Sequence, residues 1–385
     1  MSQPVYHTAD LSKYSFLVTG GAGFIGSNLV DYLLRNGARK VRVLDNLSTG
    51  YMHNLKDHLE NPAFEFLKGD IRDVETCKGA MQGVNLVSHQ AALGSVPRSI
   101  VDPISTNDVN ISGFLNMLMA VKESSATRMV YAASSSTYGD SKELPKVEEK
   151  IGNPLSPYAV TKYVNELYAN VFASTYKMEL VGLRYFNVFG PRQDPNGAYA
   201  AVIPKFIDQL ISHQSPVING DGNHSRDFTF IENVIQANML ALFADKAAIN
   251  TVYNVAFGDR TTLNELTAYL KELLAKHDPA IAAIAIIHGP NRDGDIPHSL
   301  ASIEKAKKQL GYAPKFNFPE GLSRLVQWTM KRPFSRAFST VNCQFFITHC
   351  QLSTLNRPLI KLFFIPDRRR LPMTGIDDGF IGKVV

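Results

Sequence analysis

The stretch "TGGAGFIG", residues 19–26, ends one apolar run and opens another. Before it stands "SFLVTG" (15–20), a short run of β-forming residues. After it, residues 24–36 carry apolar side chains at helical spacing until Gly37. Gly20, Gly23 and Gly26 therefore form G-x-x-G-x-x-G between a predicted strand and a predicted helix. In that setting glycines let the backbone turn tightly and approach a pyrophosphate, which rests on free N–H groups at the helix start. The plain alternative is a glycine-rich turn with no ligand. Two acids argue against it. Asp45 ends the next predicted strand, "KVRVLD", 19 residues beyond Gly26. A carboxylate there accepts both hydroxyls of an adenosine ribose and repels a 2′-phosphate, which favours NAD over NADP. Asp70 in "GDIRD" follows the third predicted strand, near where an adenine would lie. Phe24, Ile25, Asn46 and Ile71 adjoin these positions, and with Tyr158 and Lys162 they complete the expected cofactor-binding set.

The same alternation continues along the chain. "AFEFLKGD" (63–70), "NLVSHQAA" (85–92), "RMVYAAS" (128–134) and "ELVGLRYF" (179–186) read as strands, with helices between most of them. Apolar strands alternating with helices predict an α/β fold, a doubly wound parallel sheet covered on both faces. Beyond it the pattern is less regular. Helices are expected at 201–213, after Glu232 and at 261–276, with a turn at "NGDGN" (219–223). "VYNVAF" (252–257) is expected to return a strand to the sheet.

Hydrophobic residues make up 45% and charged residues 19% of the 385, a globular composition with ample material for a core. No run of about 18 apolar residues is present. "MSQPVYHTADLSKYSF" lacks the basic start and apolar block of a signal peptide, so a cytoplasmic protein without a membrane partner is expected. Cys77, Cys343 and Cys350 are too scattered for a disulfide framework or a tetrahedral metal site, and no metal is expected. The net charge of +5 is concentrated at one end. Residues 331–385 carry nine Lys/Arg and three Asp/Glu, which leaves 31 and 32 for residues 1–330. The body of the chain thus gives no electrostatic case for nucleic acid. The tail mixes basic and aromatic residues without period and is broken by Pro333, Pro358, Pro366 and Pro372. It reads as an extension without assigned function rather than a membrane-surface helix.

Chemistry is carried by "SPYAVTKYVNE" (156–166). Ser156 is a good N-cap and Pro157 suits the first helical position, so Tyr158 and Lys162 share one helix face. Val160, Val164, Leu167, Val171 and Phe172 fall on another face, which is expected to pack on the core. Tyr-x-x-x-Lys alone is weak, arising about once by chance in such a chain. Tyr138 and Lys142 in "YGDSK" repeat the spacing, but Gly139, Asp140 and Ser141 make that segment a turn. Only the Tyr158 copy has a capped helix beneath it. "AASSSTYG" (132–139) places three hydroxyls at the carboxyl end of the fifth strand, the edge where ligands bind in such sheets. An ammonium and a positive nicotinamide near Tyr158 would both favour phenolate.

Together, the glycine turn, Asp45, the serines before "TYG", and Tyr158 with Lys162 resemble an extended short-chain dehydrogenase/reductase over about residues 15–328. "LRYFNVFGPRQDPNGAYAAVIPKF" (183–206), "NGDGNHSRDFTFIENV" (219–234) and "HSLA" (298–301) resemble the NAD-dependent nucleotide-sugar 4-epimerases of that family. Within it they are most like bacterial enzymes acting on UDP-N-acetylglucosamine or its uronic acid. The resemblance implies a Rossmann domain at 14–190, joined by 228–258. It also implies a smaller α+β UDP-sugar domain at 191–227 and 259–330. Tightly held NAD, a homodimer built on the Tyr158 helix and its neighbour, and a place in surface-polysaccharide precursor synthesis are implied too. Carried over by position, Ser134 matches the catalytic Ser/Thr, with Ser135 and Ser136 as helpers to Tyr158 and Lys162. Asn187, Arg226 and Arg292 match the residues that hold the UDP phosphates. Gly94, Ser95, Ala201 and Ser299 match positions lining the sugar pocket, where small side chains leave room for an N-acetyl group. Pro297 departs from the arginine common before "HS".

The implied reaction starts with a phenolate taking the proton of the sugar's 4-hydroxyl while C4 gives hydride to NAD. The 4-keto sugar then turns over and receives hydride on its other face. Sugar 4,6-dehydratases usually carry Asp-Glu after the catalytic Thr, where Ser135 and Ser136 stand here. The glutamate common in UDP-glucuronate decarboxylases is also missing from this loop. Epimerisation of a UDP-hexose or UDP-glucuronate, and a net dehydrogenase consuming free NAD, are the related rivals. A non-catalytic NAD-binding sensor would be expected to have lost Tyr158 or Lys162, and both are intact.

Overall fold

In the computed structural model, residues 4–195, 201–290 and 297–331 are described. The predicted strands form as β1 (Ser15–Thr19), β2 (Lys40–Asp45), β3 (Phe64–Lys68), β4 (Leu86–His89), β5 (Arg128–Ser134) and β6 (Leu180–Tyr185). "VYNVAF" does return to the sheet as β7 (Thr251–Val255), parallel to β6. The order is β7-β6-β5-β4-β1-β2-β3, and every pairing is parallel.

Side-chain alternation sorts each strand between two cores. Phe16 and Val18 of β1 and Val130 of β5 join one; Leu17, Met129 and Tyr131 join the other. Helix α1 (Phe24–Arg35) contributes Leu29, Val30 and Leu33 to the first core, beside the helix Ile231–Leu242. The second core receives Cys77 of α2 (Val74–Ala80), Phe114 and Met117 of α3 (Gly113–Lys122), and Phe172 of α4 (Pro157–Tyr176). Both faces are covered, as apolar parallel strands require.

The later segments fold into shorter pieces. Helices Val202–Ile211 and Leu263–Ala275 lie within the predicted spans, the second opened by a capping box of Thr262 and Glu265. Three two-residue or three-residue strand pairs join Val188–Phe189 to Thr229–Phe230, Ser225–Arg226 to Thr261–Thr262, and Val217–Asn219 to Ile287–Gly289. Among the described residues no helix is long and apolar enough to cross a membrane. The tail beyond Lys331 lies outside the described residues.

One expectation is reversed. Of the apolar stripe on α4, only Phe172 is buried; Val160, Leu167 and Val171 are 46%, 46% and 54% exposed. The face turned inward carries Ala159, Lys162, Asn165, Glu166 and Ala169. The inward charges find partners in the protein, so the polar side can be buried and the stripe left outside.

Candidate active site

Strands β1 to β6 all point their carboxyl ends at one cavity of about 450 Å³. Its lining follows β1 at Gly20, Gly23 and Gly26, β2 at Asp45 and Asn46, and β3 at Asp70 and Ile71. It continues through Gln90 and Gly94 after β4, Ser134 of β5 and Tyr185 of β6. β1 lies between β2 and β4, where the strand order reverses, and ligands enter such sheets at that crevice.

The glycine turn divides its labour. Gly20 has φ +67°, and a Cβ on it would come within 2.7 Å of the Ala91 nitrogen. On Gly26 a Cβ would come within 2.2 Å of the Gly20 carbonyl oxygen. These two let strand, loop and helix close on one another. Gly23 caps α1 without a side chain, and the first-turn residues Phe24, Ile25 and Gly26 line the cavity. Their N–H groups suit a pyrophosphate. Asp45 is buried and accepts hydrogen bonds from Ala22 N at 2.9 Å and Leu47 N at 2.8 Å. Burial pushes its pKa up while both N–H groups pull it down. Each oxygen keeps a lone pair for a ribose hydroxyl. Asp70 is held at about 2 by Arg72, chiefly, and by Asn46, which donates at 2.9 Å. A helix start without a side-chain cap and a carboxylate with free lone pairs in one crevice fit NAD.

On the other wall stand Ser134, Tyr158 and Lys162. Ser156 caps α4 by accepting from Ala159 N at 3.1 Å, with Pro157 first in the helix. The Ser134 hydroxyl stands on the same wall of the cavity as the Tyr158 phenol and accepts from Ser136 N at 3.1 Å. Burial raises the phenol's pKa, and the neighbouring Ser134 hydroxyl opposes the rise. The cationic help expected from Lys162 does not prevail in the protein frame. Burial brings Lys162 itself down to about 8, and its Nζ donates to Ala132 O at 2.8 Å. The ammonium is held on a main-chain carbonyl and keeps its charge, which a bound nicotinamide would reinforce in favouring phenolate. His89 is held at about 3 by burial and by the Lys162 charge, so it is neutral and no base at pH 7.

A second cavity of about 340 Å³ holds Asn187, Ala201 and Arg226, with Lys205, Asn219 and Phe228. Asn187 donates to Asp227 O at 3.1 Å. Arg226 donates to Ser225 O at 3.0 Å and to Pro297 O at 3.1 Å. Gln193 lines both cavities, and its Oε1 is buried without a hydrogen-bond partner. Cations in one chamber and the tyrosine in the other suit a substrate with a charged anchor and a reactive hydroxyl at opposite ends.

Comparison with known proteins gives the same assembly a family. The profile described as GDP-mannose 4,6 dehydratase matches residues 17–325. A putative UDP-glucose 4-epimerase of Methanocaldococcus jannaschii is 40% identical over 314 residues, 81% of this chain and 97% of that protein. The chain belongs to this family of extended short-chain dehydrogenases/reductases. Among solved structures of the family, a UDP-N-acetylglucosamine 4-epimerase from Methanobrevibacter ruminantium, in complex with UDP-N-acetylmuramic acid, is similar with a TM-score of 0.77. It has 38% identity, and the match covers 82% of this chain and 98% of that one. The UDP-glucose 4-epimerase of Thermus thermophilus, complexed with NAD, matches at TM-score 0.72 and 34% identity over 83% and 100% of the two chains.

Within the family frame, the first cavity collects all the expected cofactor residues together with Ser134, Tyr158, Lys162 and Gly94; the second collects Asn187, Ala201 and Arg226. Ser95, Ser135, Ser136 and Ser299 line neither. Ser95 instead caps a short helix by accepting from Arg98 N, and Ser136 donates to Ser134 Oγ at 2.9 Å. Ser299 N donates to Ser225 O at 3.0 Å, a strand-like contact. Arg292 lies outside the described residues. Gln193, Gln90, Tyr185 and Lys205 escape the sequence reading. Tyr185 has a signal, its place at the carboxyl end of a strand; Gln193 in an irregular loop has none.

Proposed function

We propose that the protein is an NAD-dependent UDP-sugar 4-epimerase, and that its substrate is a UDP-N-acetylhexosamine or the corresponding uronic acid. The observation that carries this reading is the junction of the two cavities. Tyr158 and Ser134 stand on the dinucleotide side, Arg226 and Asn187 on the other, with Gln193 shared. Residues 14–190 and 228–258 would serve the cofactor; 191–227 and 259–330 would serve the UDP-sugar.

NAD, when bound, supplies a hydride acceptor and donor that is regenerated each cycle. Tyr158 takes the proton of the 4-hydroxyl and later returns one to the 4-keto sugar. Ser134, on the same wall of the cavity as the phenol, holds the reacting oxygen and shares that proton. Lys162 keeps its charge near the phenol from its seat on Ala132 O. Arg226 and Asn187 grip the diphosphate so that the keto sugar rotates without leaving. Ala201 and Gly94 present no bulk to the sugar, which favours an N-acetyl group over a bare 2-hydroxyl.

Homodimerisation is part of the same proposal. Val160, Leu167 and Val171 of α4 are exposed, as are Ile100, Val101 and Ile104 on two short helices that pack against α4. A second copy packed across α4 would cover this apolar face.

The test is proton NMR of purified protein, without added NAD, on UDP-N-acetylglucosamine, its uronic acid and UDP-glucose. Conversion to galacto products, fastest on an N-acetylated sugar and abolished in Tyr158→Phe, is expected. Faster turnover of UDP-glucose would replace the substrate assignment, and retained activity in Tyr158→Phe would end the mechanism.

A further inference from the structure

The segment 190–194 is tied down at both ends around a residue that faces the cofactor cavity. Arg192 has φ +71°, a left-handed backbone that non-glycine residues adopt only when held there. What holds it is α1. Arg192 Nη1 donates to Ser27 O at 2.8 Å, and Nη2 meets Asp31 Oδ1 at 3.2 Å. Asn28 Nδ2 donates to Pro191 O at 3.0 Å. Two residues on, Asp194 Oδ2 accepts from the Tyr51 hydroxyl at 2.8 Å. Tyr51 in turn belongs to the loop after β2, pinned to the glycine turn by its own N–H to Ala22 O at 3.0 Å. Gly50 packs so closely on Ala22 that a Cβ would come within 2.8 Å of it. Thr49, Gly50 and Gln193, the neighbours of the Tyr51–Asp194 bond, all line the dinucleotide cavity.

We propose that residues 190–194 are a clasp that keeps the dinucleotide from leaving, with Arg192 on α1 as one fastening and Tyr51–Asp194 as the other. A ligand between the glycine turn and Gln193 is ringed by chain, and these two contacts are joints of that ring. An enzyme that regenerates its NAD within each turnover gains from slow release, so the clasp rests on the NAD reading above. Neither fastening touches the reacting atoms. Both act through the position of Gln193 and of the loop after β2.

The experiment follows release of NAD from the full-length protein. Protein saturated with NAD is desalted and sampled over time, and the nucleotide still bound is quantified after acid release. Arg192→Ala is expected to speed release at least tenfold and Tyr51→Phe severalfold. Tyr51 is exposed and the phenylalanine keeps its ring, so that variant folds even if Arg192→Ala does not. Arg35→Ala is the control. Arg35 pairs with the other oxygen of the same Asp31, Oδ2 at 3.1 Å, and makes no hydrogen bond of its own to segment 190–194. It is expected to release NAD at the wild-type rate. Wild-type release from Tyr51→Phe and Arg192→Ala overturns the clasp, as does equal acceleration by Arg35→Ala. Failure of the wild-type protein to bind NAD at all removes the cofactor reading itself, a result distinct from any change in release rate.

Discussion

Glu166 grips Arg184 through two hydrogen bonds, Oε1 to Nε at 2.9 Å and Oε2 to Nη2 at 2.7 Å, with both side chains buried. Glu166 stands one turn beyond Lys162, and Arg184 lies on β6, so the pair fastens α4 to the sheet. Arg184 also donates to Glu148 O at 3.0 Å and stacks 4.9 Å from the centre of the Tyr138 ring, which ends the turn bearing the serines. Removing one partner strands the other charge in the interior, at a cost of about 3–5 kcal/mol. Arg184→Met is expected to lose that much in urea unfolding. A loss below about 1 kcal/mol, the range of exposed pairs, would show that packing alone holds the helix.

Lys162 carries a penalty in the folded chain. Its pKa falls from 10.5 to about 8 on burial, so the unfolded chain binds more protons between those values. Folding is therefore disfavoured below about 8 and recovers as pH rises from 8 to 10.5. The shift amounts to about 3 kcal/mol at pH 7. Lys162→Met removes it and leaves Ala132 O without its donor, a loss of about 1 kcal/mol. The NAD-free variant is expected to be about 1–2 kcal/mol more stable at pH 7 and no more stable near pH 10.5, while losing epimerase activity. Chemical unfolding at the two pH values decides it. A variant less stable than wild type at pH 7 would make the buried amine a net stabiliser.

The sheet is legible because strands and turn residues declare themselves locally: "SFLVTG", "KVRVLD" and "RMVYAAS" become β1, β2 and β5 almost unchanged. The helix start at Ser156 is legible for the same reason, since cap and proline are neighbours in sequence. The orientation of α4 is not. Periodicity groups Val160, Leu167 and Val171 on one face, but whether that face meets the core depends on partners elsewhere in the chain. Glu166 looks like a surface residue until Arg184 is known to lie beside it, 18 residues away and in a strand. The pKa of Tyr158 escapes the sequence for a related reason. Spacing brings Lys162 to the same helix face, but the burial that raises the phenol is set by elements distant in the chain.

Under the proposed function Arg226 anchors the diphosphate, through a guanidinium oriented by Ser225 O and Pro297 O. Its loss should act on binding and not on chemistry. Arg226→Ala is expected to weaken UDP about 100-fold by calorimetry, about 2.7 kcal/mol and within the range of a charge-assisted pair, whatever the sugar. In turnover the same change should appear in KM with kcat nearly constant. Unchanged affinity for UDP would move the phosphate site away from the second cavity.

Leu167 tests the exposed stripe. It sits midway along α4, 46% exposed, between Val160 and Val171. On a free surface, a glutamate there changes stability by about 0.5 kcal/mol or less and leaves the mass in solution unaltered. In a two-fold interface each copy would bury its charge against the other's apolar face, and charges buried without partners are expelled. Light scattering is therefore expected to give a dimer for wild type and a monomer for Leu167→Glu, with unchanged far-ultraviolet circular dichroism. A wild-type monomer, or a variant that remains dimeric, would remove α4 as the interface.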